Sequence, residues 1–118
     1  MLVVEDDASI RELIAEILRG EGYAVTEAAD GLEALRACER ERPVLVLLDM
    51  RMPRLDGWSF AFALRHRELK VPVVVMTAAR NARDWAEEID ADGYLAKPFD
   101  LDDVVRTVAR HARSPRLN

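Results

Sequence analysis

The sequence predicts an α/β fold in which a parallel sheet lies between two layers of helices. Apolar runs of strand length alternate along the 118 residues with segments whose apolar residues recur at helical spacing. The runs VLVLL (44–48) and VPVVVM (71–76) are apolar on both faces, as strands covered by helices on both sides must be. Helical crossovers this short join parallel strands. One three-layer sandwich domain therefore accounts for the chain.

The first half of the chain alternates three strands with two helices. Residues 2–4 form an apolar strand, and residues 10–18 place their apolar side chains on one helical face before Gly20 and Gly22 end the helix. Ser9 with Glu12 has the spacing of a capping box, and Asp7 is a competing N-cap. A weaker strand at 24–27, a helix at about 32–41 and a strand at 44–48 follow.

The second half continues the alternation. We expect a helix at 57–67, a strand at 71–76, a short helix at 81–89, a strand at 93–96 and a helix with apolar residues from 101 to 108. The fold therefore has five strands and five helices. The domain is expected to span residues 1–113, and residues 114–118 are expected to form a loose C-terminal tail.

The composition is that of an ordinary globular domain. Half of the residues are hydrophobic, a third are charged, and the net charge of -5 argues against non-specific nucleic-acid binding. The sequence shows neither a signal-peptide pattern nor an apolar run long enough to span a membrane. The single cysteine, Cys38, is expected to pack in the core. We therefore expect a cytoplasmic protein that contacts no membrane and does not itself bind nucleic acid.

Residues that can bind a ligand or take part in a reaction follow four of the predicted strands. Because the carboxyl ends of parallel strands share one edge of the sheet, where ligands bind, we expect these residues to lie close together. They are Glu5, Asp6 and Asp7 after the first strand, Asp49 after the third, Thr77 after the fourth and Lys97 after the fifth.

This set of side chains favours a magnesium and phosphate site. Neighbouring carboxylates repel by roughly 4 kcal/mol for a pair about 4 Å apart at an effective dielectric constant of about 20. A divalent cation relieves this repulsion, and oxygen ligands favour Mg²⁺ over zinc. Lys97 and Thr77 can hold phosphate oxygens. The sequence has no glycine-rich nucleotide-binding motif, which argues against nucleotide binding. It also has no Ser-His or Cys-His pair, so Asp49 is the best candidate nucleophile, attacking phosphorus to form an acyl phosphate.

The chain resembles the receiver domain of two-component response regulators. The matching motifs are VVEDD (3–7), LLDMRMPRLDG (47–57), VVVMTA (73–78) and GYLAKPF (93–99), and the resemblance covers nearly the whole chain. It implies a flavodoxin-like sheet with strand order 2-1-3-4-5, the order known for chemotaxis members of the family. It also implies a signalling domain rather than an enzyme, which accepts a phosphoryl group from a sensor histidine kinase or a histidine phosphotransfer protein.

The resemblance gives the residues at the sheet edge specific roles. Asp49 is the implied phosphoacceptor. The implied cofactor is Mg²⁺, held by Glu5, Asp6, Asp49 and the backbone carbonyl of Arg51. The implied phosphate-binding and switch residues are Thr77, Ala78, Tyr94 and Lys97, with a cis peptide bond before Pro98. Asp7 is then better explained as a helix cap. The surface of the fourth helix, fifth strand and fifth helix is the implied contact for a second copy of the chain or for an effector domain.

Three departures from the family pattern are present. The segment from Thr77 to Lys97 is about two residues shorter than usual, which implies that the fourth helix or the loop before it is reduced. Asp90 stands where a glycine is common, and Val44 stands where an aspartate is frequent. Two other functions stay open: a binding domain that works without phosphorylation, and an aspartate-nucleophile phosphatase. Such phosphatases usually carry a second aspartate at the position of Arg51.

Several aromatic and histidine residues have no assigned role. We expect Trp58 to be half-buried and Phe62 to be exposed, while Trp85 is equally suited to packing on the sheet or to facing a partner. His66 and His111 are interpreted as surface residues.

Overall fold

The computed structural model describes residues 1–112, apart from the side chain of Ala79, and contains five strands and five helices. The predicted tail at 114–118 lies outside the described residues. The strands are β1 (Leu2–Val4), β2 (Thr26–Ala28), β3 (Val46–Asp49), β4 (Val73–Ala78) and β5 (Gly93–Lys97). The helices are α1 (Ala8–Gly20), α2 (Gly31–Arg40), α3 (Gly57–His66), α4 (Ala79–Glu88) and α5 (Leu101–His111).

The five strands form one parallel sheet in the order β2-β1-β3-β4-β5, which confirms the predicted α/β fold. Strand β3 lies at the centre, where Val46 pairs with Leu2 of β1 on one side and with Val73 of β4 on the other. Every strand therefore ends at the same edge of the sheet, which is where the sequence places its polar residues.

Each face of the sheet is covered by a separate hydrophobic core. Alternate residues of a strand point to opposite faces, so Leu48 packs with α2, α3 and α4 while Leu47 packs with α1 and α5. Cys38 is buried in the first of these cores, which confirms its expected packing role. These two cores hold the central strands rigidly between the helix layers. Within residues 1–112, no helix is both long enough and apolar enough to cross a membrane.

The strand boundaries differ from the predicted ones by one or two residues. The strands predicted at 24–27, 44–48 and 71–76 lie instead at Thr26–Ala28, Val46–Asp49 and Val73–Ala78. The reason is that hydrophobicity reports burial, whereas a strand extends only as far as a neighbouring strand pairs with it. Thr77 and Ala78 belong to β4 because β5 offers them Ala96 and Lys97 as partners.

Aspartates begin four of the five helices. Asp7 accepts a hydrogen bond from the backbone N–H of Ile10 (3.1 Å), so Asp7 caps α1 and the alternative capping box of Ser9 with Glu12 is wrong. The other aspartate caps are Asp30 of α2, Asp56 of α3 and Asp100 of α5. Helix α4 differs, because it follows β4 directly and its N-cap, Ala78, has no side-chain hydrogen bond.

The short segment from Thr77 to Lys97 has no loop between β4 and α4, because α4 begins at the residue after Ala78. Helix α4 has ten residues, the same length as α2 and α3. Asp90 adopts a positive φ of 56°, a conformation that favours glycine and that explains why glycine is common at this turn. His111, which is expected to be a surface residue, is partly exposed and packs with one part of its ring against Gly93.

Candidate functional site

The carboxyl edge of the sheet brings together the polar residues that the sequence placed after the strands. Glu5 directly follows β1, Asp49 ends β3, Thr77 is the penultimate residue of β4 and Lys97 ends β5. Glu5, Asp49 and Thr77 are the buried polar residues of this edge, with exposures of 1%, 6% and 5%. Burying a charged group is costly unless the group is paired. The burial of Glu5 and Asp49 at the ends of rigid strands therefore indicates a functional site.

Three carboxylates converge at this edge. Glu5, Asp6 and Asp49 each present an oxygen atom, and these oxygen atoms lie within 4.8 Å of one another. Two of the three residues are buried, while Asp6 is exposed at the mouth of the group. All the ligand atoms of this cluster are oxygens, so its chemistry suits a hard divalent cation such as Mg²⁺.

Lys97 faces the carboxylates. Its Nζ atom lies 3.0 Å from Glu5 Oε1, at hydrogen-bond distance, and 4.0 Å from Asp49 Oδ1. The peptide bond from Lys97 to Pro98 is cis. The ammonium group therefore partly neutralises the two buried acids and stands next to the carboxyl group of Asp49.

The environment of Asp49 disfavours its charged form. Burial raises the pKa of the Asp49 carboxyl, and the negative charge of Glu5 raises it further. The ammonium of Lys97 and the backbone N–H of Arg51, which donates to Asp49 Oδ1 at 3.4 Å, lower it by less. The pKa of Asp49 therefore rises from its ordinary value of 3.8 to about 7. An additional positive charge at the cluster would lower it again.

The cluster lines an open pocket of about 400 Å³. Its walls include Thr77, Ala78 and Arg51, so the implied metal ligands lie in one place together with three of the four implied phosphate-binding and switch residues, Thr77, Ala78 and Lys97. Thr77 has no hydrogen-bond partner for its hydroxyl in the described part of the chain. The hydroxyl is thus available to a bound ligand.

Tyr94 lies outside the pocket. It is 46% exposed and does not belong to the residues that line the pocket, although it lies on β5 beside the pocket-lining strand β4. Asp7 does line the pocket, but its side chain caps α1 and therefore has a structural role of its own.

Sequence reasoning missed two residues that line the pocket, Ile10 and Asn81. Asn81 lies in the first turn of α4, where the shortened connection after β4 places it beside the site. The unusual spacing from Thr77 to Lys97 draws attention to this connection in the sequence, but it does not single out Asn81. Ile10 reaches the pocket because α1 begins directly after the acidic residues.

A family model described as the response regulator receiver domain matches residues 1–109. The chain belongs to this family. Receiver domains are phosphoacceptor signalling domains of two-component systems, so the fold and the acidic edge of this chain are those of a signalling module.

Curated proteins and solved structures include close relatives of this receiver domain. The probable transcriptional regulator ycf27 of Porphyridium aerugineum is 43% identical over 123 residues, which cover 100% of this chain and 51% of the relative. The receiver domain of NtrX from Brucella abortus has a TM-score of 0.87 at 31% identity, covering 97% of this chain and 98% of that structure. The chain spans about half the length of the curated relatives it matches.

Another similar solved structure contains a magnesium ion, according to its description. The receiver domain of the sensor histidine kinase PA1611 from Pseudomonas aeruginosa has a TM-score of 0.84 at 36% identity and covers 96% of each chain. That structure is described as having a magnesium ion coordinated in its active site cleft.

Proposed function

We propose that this receiver domain accepts a phosphoryl group on Asp49 from the phosphohistidine of a sensor histidine kinase or a histidine phosphotransfer protein. The observation that carries the proposal is the convergence of Glu5, Asp6 and Asp49 within 4.8 Å, beside the ammonium of Lys97. In the transfer, an Asp49 oxygen bonds to phosphorus while the P–N bond of phosphohistidine breaks, and the electron pair of that bond returns to the imidazole nitrogen.

The residues around Asp49 are suited to stabilising the transferred group. Lys97 supplies a point charge to one phosphoryl oxygen, and the free hydroxyl of Thr77 can donate a hydrogen bond to another. The small side chain of Ala78 leaves space beside Asp49 in the pocket. These groups act on the negative charge of the equatorial oxygens, which is where phosphoryl transfer needs electrostatic support.

The same pocket is suited to Mg²⁺, and the carboxylates of Glu5, Asp6 and Asp49 with the backbone carbonyl of Arg51 are the proposed ligands. The fit follows from the oxygen-only donor set, and from the burial and the repulsion by Glu5 that together raise the pKa of Asp49. When bound, Mg²⁺ supplies positive charge that offsets the negative charge of the acids and of a phosphoryl group.

The proposed output is a change at the surface of α4, β5 and α5. The phosphoryl group on Asp49 draws the Thr77 hydroxyl toward it, and Tyr94, which is exposed here, moves inward into the space that Thr77 vacates. Such a change is a population shift between two states that differ in their contacts with the phosphoryl group. The altered surface would then be read by a second copy of the chain or by an effector domain.

Phosphorylation by acetyl phosphate with Mg²⁺ tests the proposed acceptor. The modified fraction is measured by phosphate-affinity electrophoresis in the native chain, in Asp49→Asn and in Asp7→Asn. Asp7→Asn is the matched control, because asparagine caps a helix as well as aspartate does. We expect modification of the native chain and of Asp7→Asn, and none of Asp49→Asn. Modification that persists in Asp49→Asn would refute the assignment, and steady release of phosphate from a simple phosphate ester would indicate a phosphatase instead.

A further inference from the structure

Both tryptophans of the chain lie at one contact between α3 and α4. The rings of Trp58 and Trp85 pack edge to face with their centroids 4.8 Å apart, and the indole N–H of Trp58 donates to Glu88 Oε1 at 2.8 Å. We refer to Trp58, Trp85 and Glu88 as the α3–α4 seam. The seam joins one residue of α3 to two residues of α4.

Arg51 connects this seam to the phosphoacceptor pocket. The residue lines the pocket two positions after Asp49, and its guanidinium carbon lies 5.0 Å from the centroid of the Trp85 ring, in cation–π contact. Within residues 1–112, no carboxylate forms an ion pair with Arg51. The other arginine of this loop, Arg54, is already paired with Asp30 at 2.7 Å. Arg51 is thus a cation at the rim of the pocket that is held there by an aromatic face.

We propose that Arg51 is a phosphoryl-responsive latch on the α3–α4 seam. When Asp49 carries no phosphoryl group, the Arg51 guanidinium covers the ring of Trp85. When Asp49 is phosphorylated, the guanidinium moves away from Trp85 and binds the phosphoryl oxygens. This inference rests on the proposed function of Asp49 and deepens it, because it adds a second route from the site to α4 besides Thr77 and Tyr94.

The exchange is favoured by the chemistry of the two partners. Guanidinium groups bind phosphate through charge-assisted, often bidentate hydrogen bonds, which are stronger than a cation–π contact at an exposed site. Lys97 also contacts the phosphoryl group in the proposed function, but its ammonium already has a partner in Glu5 at 3.0 Å, whereas Arg51 has no ion-pair partner among residues 1–112. Loss of the guanidinium uncovers the half-buried Trp85, so phosphorylation changes the α3–α4 face as well as the surface of α4, β5 and α5.

Tryptophan emission tests the latch directly, since the chain has no tryptophan outside the seam. The native chain, Arg51→Ala and Arg54→Gln are titrated with beryllofluoride in Mg²⁺, and fluorine NMR measures occupancy so that emission is compared at full occupancy. We expect the native emission to move to longer wavelength as Trp85 becomes hydrated. Arg51→Ala should emit at the longer wavelength before titration and shift no further, while Arg54→Gln, the loop control, should shift as the native chain does.

The outcomes separate the latch from the proposed function. An equal shift in the native chain and in Arg51→Ala at full occupancy would overturn the latch, and so would full occupancy with no shift in the native chain. Absence of bound beryllofluoride in the native chain would overturn the proposed function of Asp49 and the latch that rests on it.

Discussion

In the absence of Mg²⁺, the native chain should have a lower free energy of unfolding than a variant in which one acid of the cluster is removed. Because Asp49 is 6% exposed and lies beside Glu5, its pKa rises from 3.8 to about 7 on folding. Each tenfold change in proton affinity corresponds to about 1.4 kcal/mol, so the ionised carboxyl costs the fold about 4 kcal/mol at a pH above 7. Asp49→Asn removes this cost.

The pH dependence follows from the direction of the pKa change. Below about pH 4 the carboxyl of Asp49 is protonated in both states, so it adds no difference in stability. Between about pH 4 and 7 the unfolded chain releases the proton while the folded chain keeps it, so the free energy of unfolding falls as the pH rises. Above about pH 7 the cost is constant.

Urea unfolding followed by circular dichroism in EDTA, from pH 5 to 8, measures this effect. We expect Asp49→Asn to exceed the native chain in free energy of unfolding by up to about 4 kcal/mol at pH 8 and by less at pH 5. Asp6→Asn is the control; its gain should be smaller because Asp6 is exposed and solvent screens its charge. Added Mg²⁺ should stabilise the native chain more than Asp49→Asn. A variant Asp49→Asn no more stable than the native chain at pH 8 in EDTA would refute the reasoning.

Three further predictions concern Gly57, Asp30 and Thr77. In Gly57→Ala the new Cβ would lie 2.6 Å from Met50 Sδ and 2.8 Å from Met50 Cα, so thermal unfolding should show a loss of stability of about 1–3 kcal/mol. In the control Gly20→Ala nothing lies within 4 Å of the new Cβ, and a gain of stability of up to about 1 kcal/mol is expected. Asp30→Ala should lose about 1 kcal/mol or more in urea unfolding, and Asp30→Asn, which keeps the cap, should lose less. Burial opposes ionisation of Asp30, but the Glu33 N–H and Arg54 outweigh the effect of burial and hold the pKa of Asp30 below 3.8. The stability that ionised Asp30 adds to the fold should therefore disappear as the pH falls below about 4. Thr77→Ala should still be phosphorylated, but the Tyr94 ring signals in NMR should no longer change on phosphorylation; an unaltered change would contradict the coupling.

The sequence predicts the meeting of Asp49 and Lys97 because the topology leaves few alternatives. Strands joined by helical crossovers run parallel, so residues that follow them share an edge even when they are far apart along the chain. The same reasoning explains the errors. Strand ends depend on pairing with neighbours, which apolar runs do not report, and Thr77 is therefore inside β4 although it is polar.

The α3–α4 seam could not be predicted from the sequence. The sequence is equally compatible with core packing and with partner contact for Trp85, because helical spacing gives the face of a residue but not the side chains that the neighbouring helix presents. The contact of Arg51 with Trp85 depends on where α4 begins, and α4 begins directly after Ala78 with no loop between. Nothing in the local sequence around Arg51 or Trp85 specifies this distance.

The crystal structure of the domain with Mg²⁺ and beryllofluoride tests the central claim most directly. We expect beryllium bonded to a carboxylate oxygen of Asp49, with the Lys97 ammonium and the Thr77 hydroxyl contacting its fluorides, and Mg²⁺ bound by Glu5, Asp6 and Asp49. A structure in which Asp49 remains unmodified under saturating beryllofluoride, or in which the fluoride complex binds elsewhere, would contradict the account.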